Sequence, residues 1–106
     1  NFDPQPYALR LAKALTGLTE DEEEIESIFF AEGLSNLELQ AIHRYFDAEY
    51  QNYSGFGAES LAERIKDDYR YNATKNLFAE TEGRTGNQLA REIYQKLNLN
   101  PSEIPL

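Results

Sequence analysis

The sequence predicts an all-α fold, a compact bundle of five to six short helices. Apolar residues recur at helical spacing in one segment after another, as with Ala8, Leu11, Ala12 and Leu15 at i, i+3, i+4 and i+7. Two stretches carry a capping-box pattern, a hydroxyl residue followed three places on by Glu: Thr19 with Glu22, and Ser35 with Glu38. No stretch alternates apolar and polar residues as a half-buried strand would.

Taken in order, Asp3 and Pro4 read as a helix start, a cap followed by a proline with a pre-set φ. The first helix then runs to about Thr16, and Gly17 suits the left-handed position beyond it. A second helix spans about Glu20 to Glu32, with Ile25, Ile28 and Phe29 as its apolar stripe and Gly33 closing it. Ser35 opens a third, marked by Leu39, Ile42, Phe46 and Tyr50. Asn52 to Gly57 is a loop by composition. Leu61, Ile65 and Tyr69 define a fourth helix, with Asp67 and Asp68 at its end. Asn72 caps a fifth that carries Leu77 and Phe78 and stops at Gly83. The sixth follows Gly86, with Leu89, Ile93 and Leu97 on one face and Ala90 and Tyr94 beside them; Pro101 stops it, and an irregular tail follows. The repeating apolar members, Leu11, Leu15, Ile25, Ile28, Phe29, Leu39, Ile42, Phe46, Leu61, Ile65, Leu77 and Phe78, are the expected core.

Composition excludes several classes of function. At 106 residues and 41% hydrophobic, the chain suits one compact domain. It has no Cys, so disulfides, zinc-thiolate sites and thiol nucleophiles are ruled out, and one His leaves a single imidazole base. A net charge of −9 argues against non-specific nucleic-acid binding, which needs a basic face, and against unaided docking on an anionic membrane. No apolar run is long enough to span a bilayer and no signal-peptide pattern opens the chain. It therefore reads as soluble, at most peripheral to a membrane. With no Met even at position 1, it also reads as a fragment or processed product.

The chemistry concentrates between Leu15 and Phe29. There the carbonyls at one helix end lie beside Glu20, Asp21, Glu22, Glu23, Glu24 and Glu26. Oxygen-rich surroundings of this kind suit a hard cation. A solvated helix start is the alternative, since carboxylates favour the positive end of the helix dipole. Glu20–Glu24 and Glu22–Glu26 are like-charge i, i+4 pairs, whose repulsion a bound cation would relieve. His43 has no Ser, Cys or Asp partner identifiable from sequence, and no phosphate loop, nucleophile elbow or H-E-x-x-H pair is present. The expectation is a protein that is not an enzyme. Tyr53 and Phe56, in the glycine-flanked loop, are the candidate contact residues.

Three segments in this order resemble an annexin repeat: A-L-R-L-A-K-A-L-T-G-L-T-E-D-E-E-E-I (Ala8 to Ile25), S-N-L-E-L-Q-A-I-H-R-Y-F (Ser35 to Phe46) and S-L-A-E-R-I-K-D-D (Ser60 to Asp68). The resemblance covers roughly Asp3 to Ala79 and implies a five-helix repeat over residues 1–83. Residues 84–106 would be an extra helix and tail; Leu89 to Leu97 looks like Ala8 to Thr16, the first helix of a further repeat. An opening helix of that kind needs a cover for its apolar face, either this bundle or a second chain. The resemblance also implies a weak Ca²⁺ site, formed by the carbonyls of Leu15, Gly17 and Thr19 and a carboxylate from Asp68. Thr19 and Glu20 depart from the family, which has a glycine and a threonine there. Two readings follow. One is a non-catalytic module that binds acidic phospholipid through calcium. The other is a small acidic helical domain that binds another protein without calcium, as an inhibitor, immunity or adaptor domain or as part of a larger bacterial protein.

Overall fold

The computed structural model describes residues 1–16, 21–53, 58–71, 81 and 83–105, without the side chains of residues 70 and 71. Among these the chain forms five α-helices and no strand. They are α1 (Gln5–Thr16), α2 (Glu22–Glu26), α3 (Asn36–Glu49), α4 (Leu61–Tyr71) and α5 (Gly86–Lys96). A π-helical turn, Ser27–Ala31, continues α2, and a 3₁₀ turn, Pro101–Glu103, follows α5.

Local chemistry explains most of the boundaries. Asp3 Oδ1 accepts from the Gln5 backbone N–H at 3.0 Å, which satisfies one of the orphan donors at the start of α1. The Ser35–Glu38 capping box forms as the sequence predicts, with the Glu38 N–H donating to Ser35 Oγ at 3.1 Å and the Ser35 N–H to Glu38 Oε1 at 2.9 Å. Thr85 and Gln88 build a second box at the head of α5. Gly33 has φ +73°, the left-handed conformation that a closing glycine supplies without strain.

Three boundaries differ from the sequence expectation. The second helix begins at Glu22, and its cap is Asp21, whose side chain accepts from the Glu24 N–H at 3.1 Å. Thr19, the expected cap, lies outside the described residues, as do Leu77 and Phe78 of the expected fifth helix. The last helix stops before Pro101: Asn98 adopts φ +61°, the Leu99 N–H donates to the Tyr94 carbonyl and the Asn98 N–H to the Gln95 carbonyl. That pair of bonds is a Schellman motif, with Asn in the role more often taken by Gly. The tail, expected to be irregular, instead turns back, capped by Asn100, and buries Ile104.

One core joins all five helices. Leu11, Leu15, Ile25, Ile28, Phe29, Leu39, Ile42, Phe46, Leu61 and Ile65 are all buried, as their helical spacing predicts. Helix α1 packs along α3, and α5 along α4. The apolar face of α5, Leu89, Ala90, Ile93, Tyr94 and Leu97, enters the same cluster as residues of α1 to α4. It is tied down at both ends: the Tyr94 hydroxyl donates to the Ala62 carbonyl at 2.8 Å, and Gln40 Nε2 donates to the Lys96 carbonyl at 3.1 Å. Residues 84–105 therefore use this bundle as their cover.

Phe46 is fully buried at the centre of α3. Phe46→Ala is expected to cost about 3–5 kcal/mol, the transfer loss plus an unfilled cavity. Urea unfolding followed by far-ultraviolet circular dichroism measures this, and a loss below about 1 kcal/mol would mean that the α3 face is not core.

Candidate functional site

At the end of α1, the Ala14 carbonyl accepts from the Asp21 N–H at 3.2 Å, and Thr16 Oγ1 donates back to the Ala12 carbonyl at 2.5 Å. Part of the oxygen supply expected at this turn is thus engaged within the chain. The carboxylates here also have an internal cation. Arg10 Nη1 and Nη2 donate to the two oxygens of Glu32 at 2.9 and 2.5 Å, and its Nε donates to Glu24. The bidentate bond to Arg10 holds the Glu32 carboxyl below the usual range, and burial opposes it. Asp21 and Glu23 remain exposed.

The four residues of the expected calcium site are placed as follows. Leu15 lies in the last turn of α1 with its side chain in the core. Gly17 and Thr19 lie outside the described residues. Asp68 is not at a helix end, because α4 continues to Tyr71 and places it one turn inside. It is only 3% exposed, beside the buried Tyr69. Among the described residues, no three acidic or imidazole side chains are grouped to hold a metal ion.

A buried polar group lies between α2 and α4. Glu26 is fully buried, and neither of its carboxylate oxygens closes a hydrogen bond of ordinary geometry among the described residues; nor does the Tyr69 hydroxyl. Burial pushes the Glu26 carboxyl up and Glu22 adds to this, whereas the Thr81 hydroxyl and the Arg84 guanidinium facing it favour the charged form. Burial also raises the Tyr69 phenol, with Glu26, Asp68 and Glu22 adding to it. Glu26 sits where α2 passes into the π-helical turn, and the Glu32 N–H closes that wider turn on the Ser27 carbonyl at 3.0 Å. Such turns are frequent at functional sites. Sequence gives no warning of this burial, because Glu26 reads as one more member of an acidic helix start.

His43 does have a partner. Its Nε2 lies 3.1 Å from Asp47 Oδ2, one turn on along α3. Asp47 Oδ1 accepts from the Leu61 N–H at 2.8 Å and so caps the start of α4 from a neighbouring helix. Ser60 Oγ accepts from the Glu63 N–H at 3.2 Å in the same turn. The i, i+4 spacing of His43 and Asp47 was a signal available in the sequence. The pair lies within α3, and it is the bond from the Leu61 N–H to Asp47 that joins α3 to α4.

The end of α3 presents tyrosines. Tyr53 is 43% exposed and meets Tyr50 edge-on, with ring centres 5.8 Å apart. Tyr50 also contacts Tyr45 at 5.9 Å and the buried Phe46 at 6.4 Å, and its hydroxyl accepts from Gln5 Nε2 at 2.9 Å. Burial raises the Tyr45 phenol, with Tyr50, Glu49 and Asp3 adding to it. Phe56, the second expected contact residue, lies outside the described residues.

Glu26 and Asp47 each generate an expectation. A raised carboxyl pKa means that the folded state binds its proton more readily than the unfolded chain, so stability falls as pH rises from the unfolded value of about 4.3 through the folded one. Glu26→Gln is therefore expected to be more stable than the parent at pH 8, with the difference narrowing toward pH 4 in urea titrations; a constant difference would place Glu26 in water. Asp47→Ala should cost about 1 kcal/mol by the same method, the usual loss for a removed cap. Compared with known protein families, characterised proteins and solved structures, the chain matches none significantly.

Proposed function

We propose that this chain is a non-catalytic binding module whose partner is another protein, engaged through the tyrosine face at the end of α3. Tyr53 carries the proposal. It is a large aromatic side chain, 43% exposed, and its ring rests edge-on against Tyr50, which is itself anchored to α1 through Gln5. A ring already supported by its neighbours loses little conformational entropy on contact, and tyrosine offers apolar area together with a polar tip. Exposed, pre-positioned aromatics of this kind dominate protein–protein binding energy. The net charge of −9 favours a partner that is not itself acidic.

Calcium-dependent attachment to acidic phospholipid is the second reading. In its favour are the exposed carboxylates of Asp21 and Glu23 in the turn that resembles an annexin loop. Against it stand the engaged Ala14 carbonyl, the Arg10 cation beside Glu24 and the burial of Asp68. A site with so few protein oxygens would bind in the range of about 10⁻⁴–10⁻³ M, with water or lipid phosphate completing the shell.

Isothermal titration with calcium, with and without vesicles of phosphatidylserine and phosphatidylcholine, separates the two readings. The expected result is no calcium heat in either condition, no pelleting with vesicles, and an unchanged melting temperature at about 1 mM calcium. Calcium-dependent pelleting would replace the protein-binding reading with the lipid one.

A further inference from the structure

Two half-buried aromatic rings elsewhere on this molecule carry the chain's own cations. The Arg10 guanidinium lies over the Tyr7 ring at 5.5 Å. Arg84 and Lys96 lie over Phe30 at 5.4 and 5.2 Å. Among the described residues, no cation is so placed over Tyr45, Tyr50 or Tyr53. Nearby, Arg64 Nη2 donates to the Gln51 carbonyl at 2.7 Å, and Arg44, next to Tyr45 in the chain, is exposed on α3. Carboxylates border this cluster: Asp3 bonds the N–H of Gln5, whose side chain meets the Tyr50 hydroxyl, and Glu49 directly precedes Tyr50 at the end of α3, both exposed, with Glu59 close by through its N–H bond to the Gln51 carbonyl.

We infer that the Tyr45–Tyr50–Tyr53 face takes a cationic segment of a partner protein, with an Arg or Lys side chain laid on the Tyr53 ring and paired with Glu49 or Asp3. The negative face of an aromatic ring attracts a cation, and a flanking carboxylate adds a charge-assisted hydrogen bond. Arginine suits the site better than lysine, because its planar guanidinium stacks on the ring while its edge remains free to donate. The exposed ring and the acidic rim are then two halves of one recognition surface, complementary in charge to a basic segment. This inference rests on the protein-binding reading and adds the chemistry of the partner.

The test uses a short acetylated Arg-Gly repeat peptide and its citrulline counterpart, which keeps the shape and loses the charge. Binding is followed by NMR of the tyrosine rings, on the parent chain and on Tyr53→Ala, Glu49→Gln and Glu23→Gln. Glu23→Gln removes an identical exposed charge from α2 and controls for general attraction. The arginine peptide is expected to shift the Tyr50 and Tyr53 ring signals and the citrulline peptide to leave them unmoved. Tyr53→Ala should weaken the arginine peptide by about two- to fivefold. Glu49→Gln should weaken it by about twofold while Glu23→Gln leaves it unchanged. Equal weakening by Glu23→Gln, retained binding of the citrulline peptide, or no shift at Tyr53 overturns the inference. If the peptide binds and the shifts map to another face, the cationic-segment assignment fails while the binding-module reading stands; the calcium and vesicle titrations decide that reading independently.

Discussion

Nineteen carboxylates against ten Lys and Arg leave this chain few cations with which to hold itself together, and the fold depends on where those few are placed. Arg10 matters most. From α1 it reaches Glu24 on α2 and both oxygens of Glu32, just beyond the π-helical turn, so one guanidinium ties α1 to both. Lysine could not do this, because only the planar fork of arginine offers paired donors at fixed geometry together with a third on Nε. Arg84 bonds Glu92 at 2.5 Å, and Arg91 donates to the Ile104 carbonyl at 2.6 Å, fastening the ends of α5 and the tail. Partly exposed pairs of this kind contribute little individually, since water and salt screen them. They set the relative placement of elements whose stability comes from the shared apolar core.

Against that background the acidic helix start reads differently. In the sequence, the run from Glu20 to Glu26 suggests either a solvated dipole cap or a place for a bound cation. The structure divides it. Asp21 caps, Glu24 pairs with Arg10, Glu23 faces water and Glu26 is drawn fully into the interior. Repulsion along the run is relieved for Glu24 by an internal cation, Arg10. Neither that pairing nor the burial of Glu26 is visible from spacing, because each depends on what packs across from α2.

The contrast shows what kind of information a sequence of this sort holds. Helical periodicity located Leu39, Ile42 and Phe46 on one buried face, and the Ser35–Glu38 box located the residue where that helix begins, because both rest on contacts within a single turn or two. Asp68 escaped the same logic. The sequence places it at the helix end, yet the backbone continues to Tyr71 and the α4 face turned inward includes Arg64, Asp68 and Tyr69 together. The fold class was legible for the first reason, and the polar group of Glu26, Asp68 and Tyr69 was hidden for the second. Of the expected contact pair, Tyr53 is exposed as its loop composition implied.

The same imbalance of charge has a consequence for the surface. Cations that hold helices together cannot also cover aromatic rings everywhere. Arg10 does both, pairing with Glu24 and Glu32 while lying over Tyr7, and Arg84 pairs with Glu92 while lying over Phe30. Among the described residues, no cation lies over the rings at the far end of α3; Arg64 there donates to the Gln51 carbonyl. Tyr53 and the carboxylate of Glu49 face solvent, and Asp3 is exposed while its Oδ1 caps α1. Exposed tyrosines packed edge-on and flanked by acids contribute little to a fold that already has a continuous core. In the binding proposed above, a guanidinium from a partner segment would complement the ring of Tyr53 and the exposed carboxylates beside it.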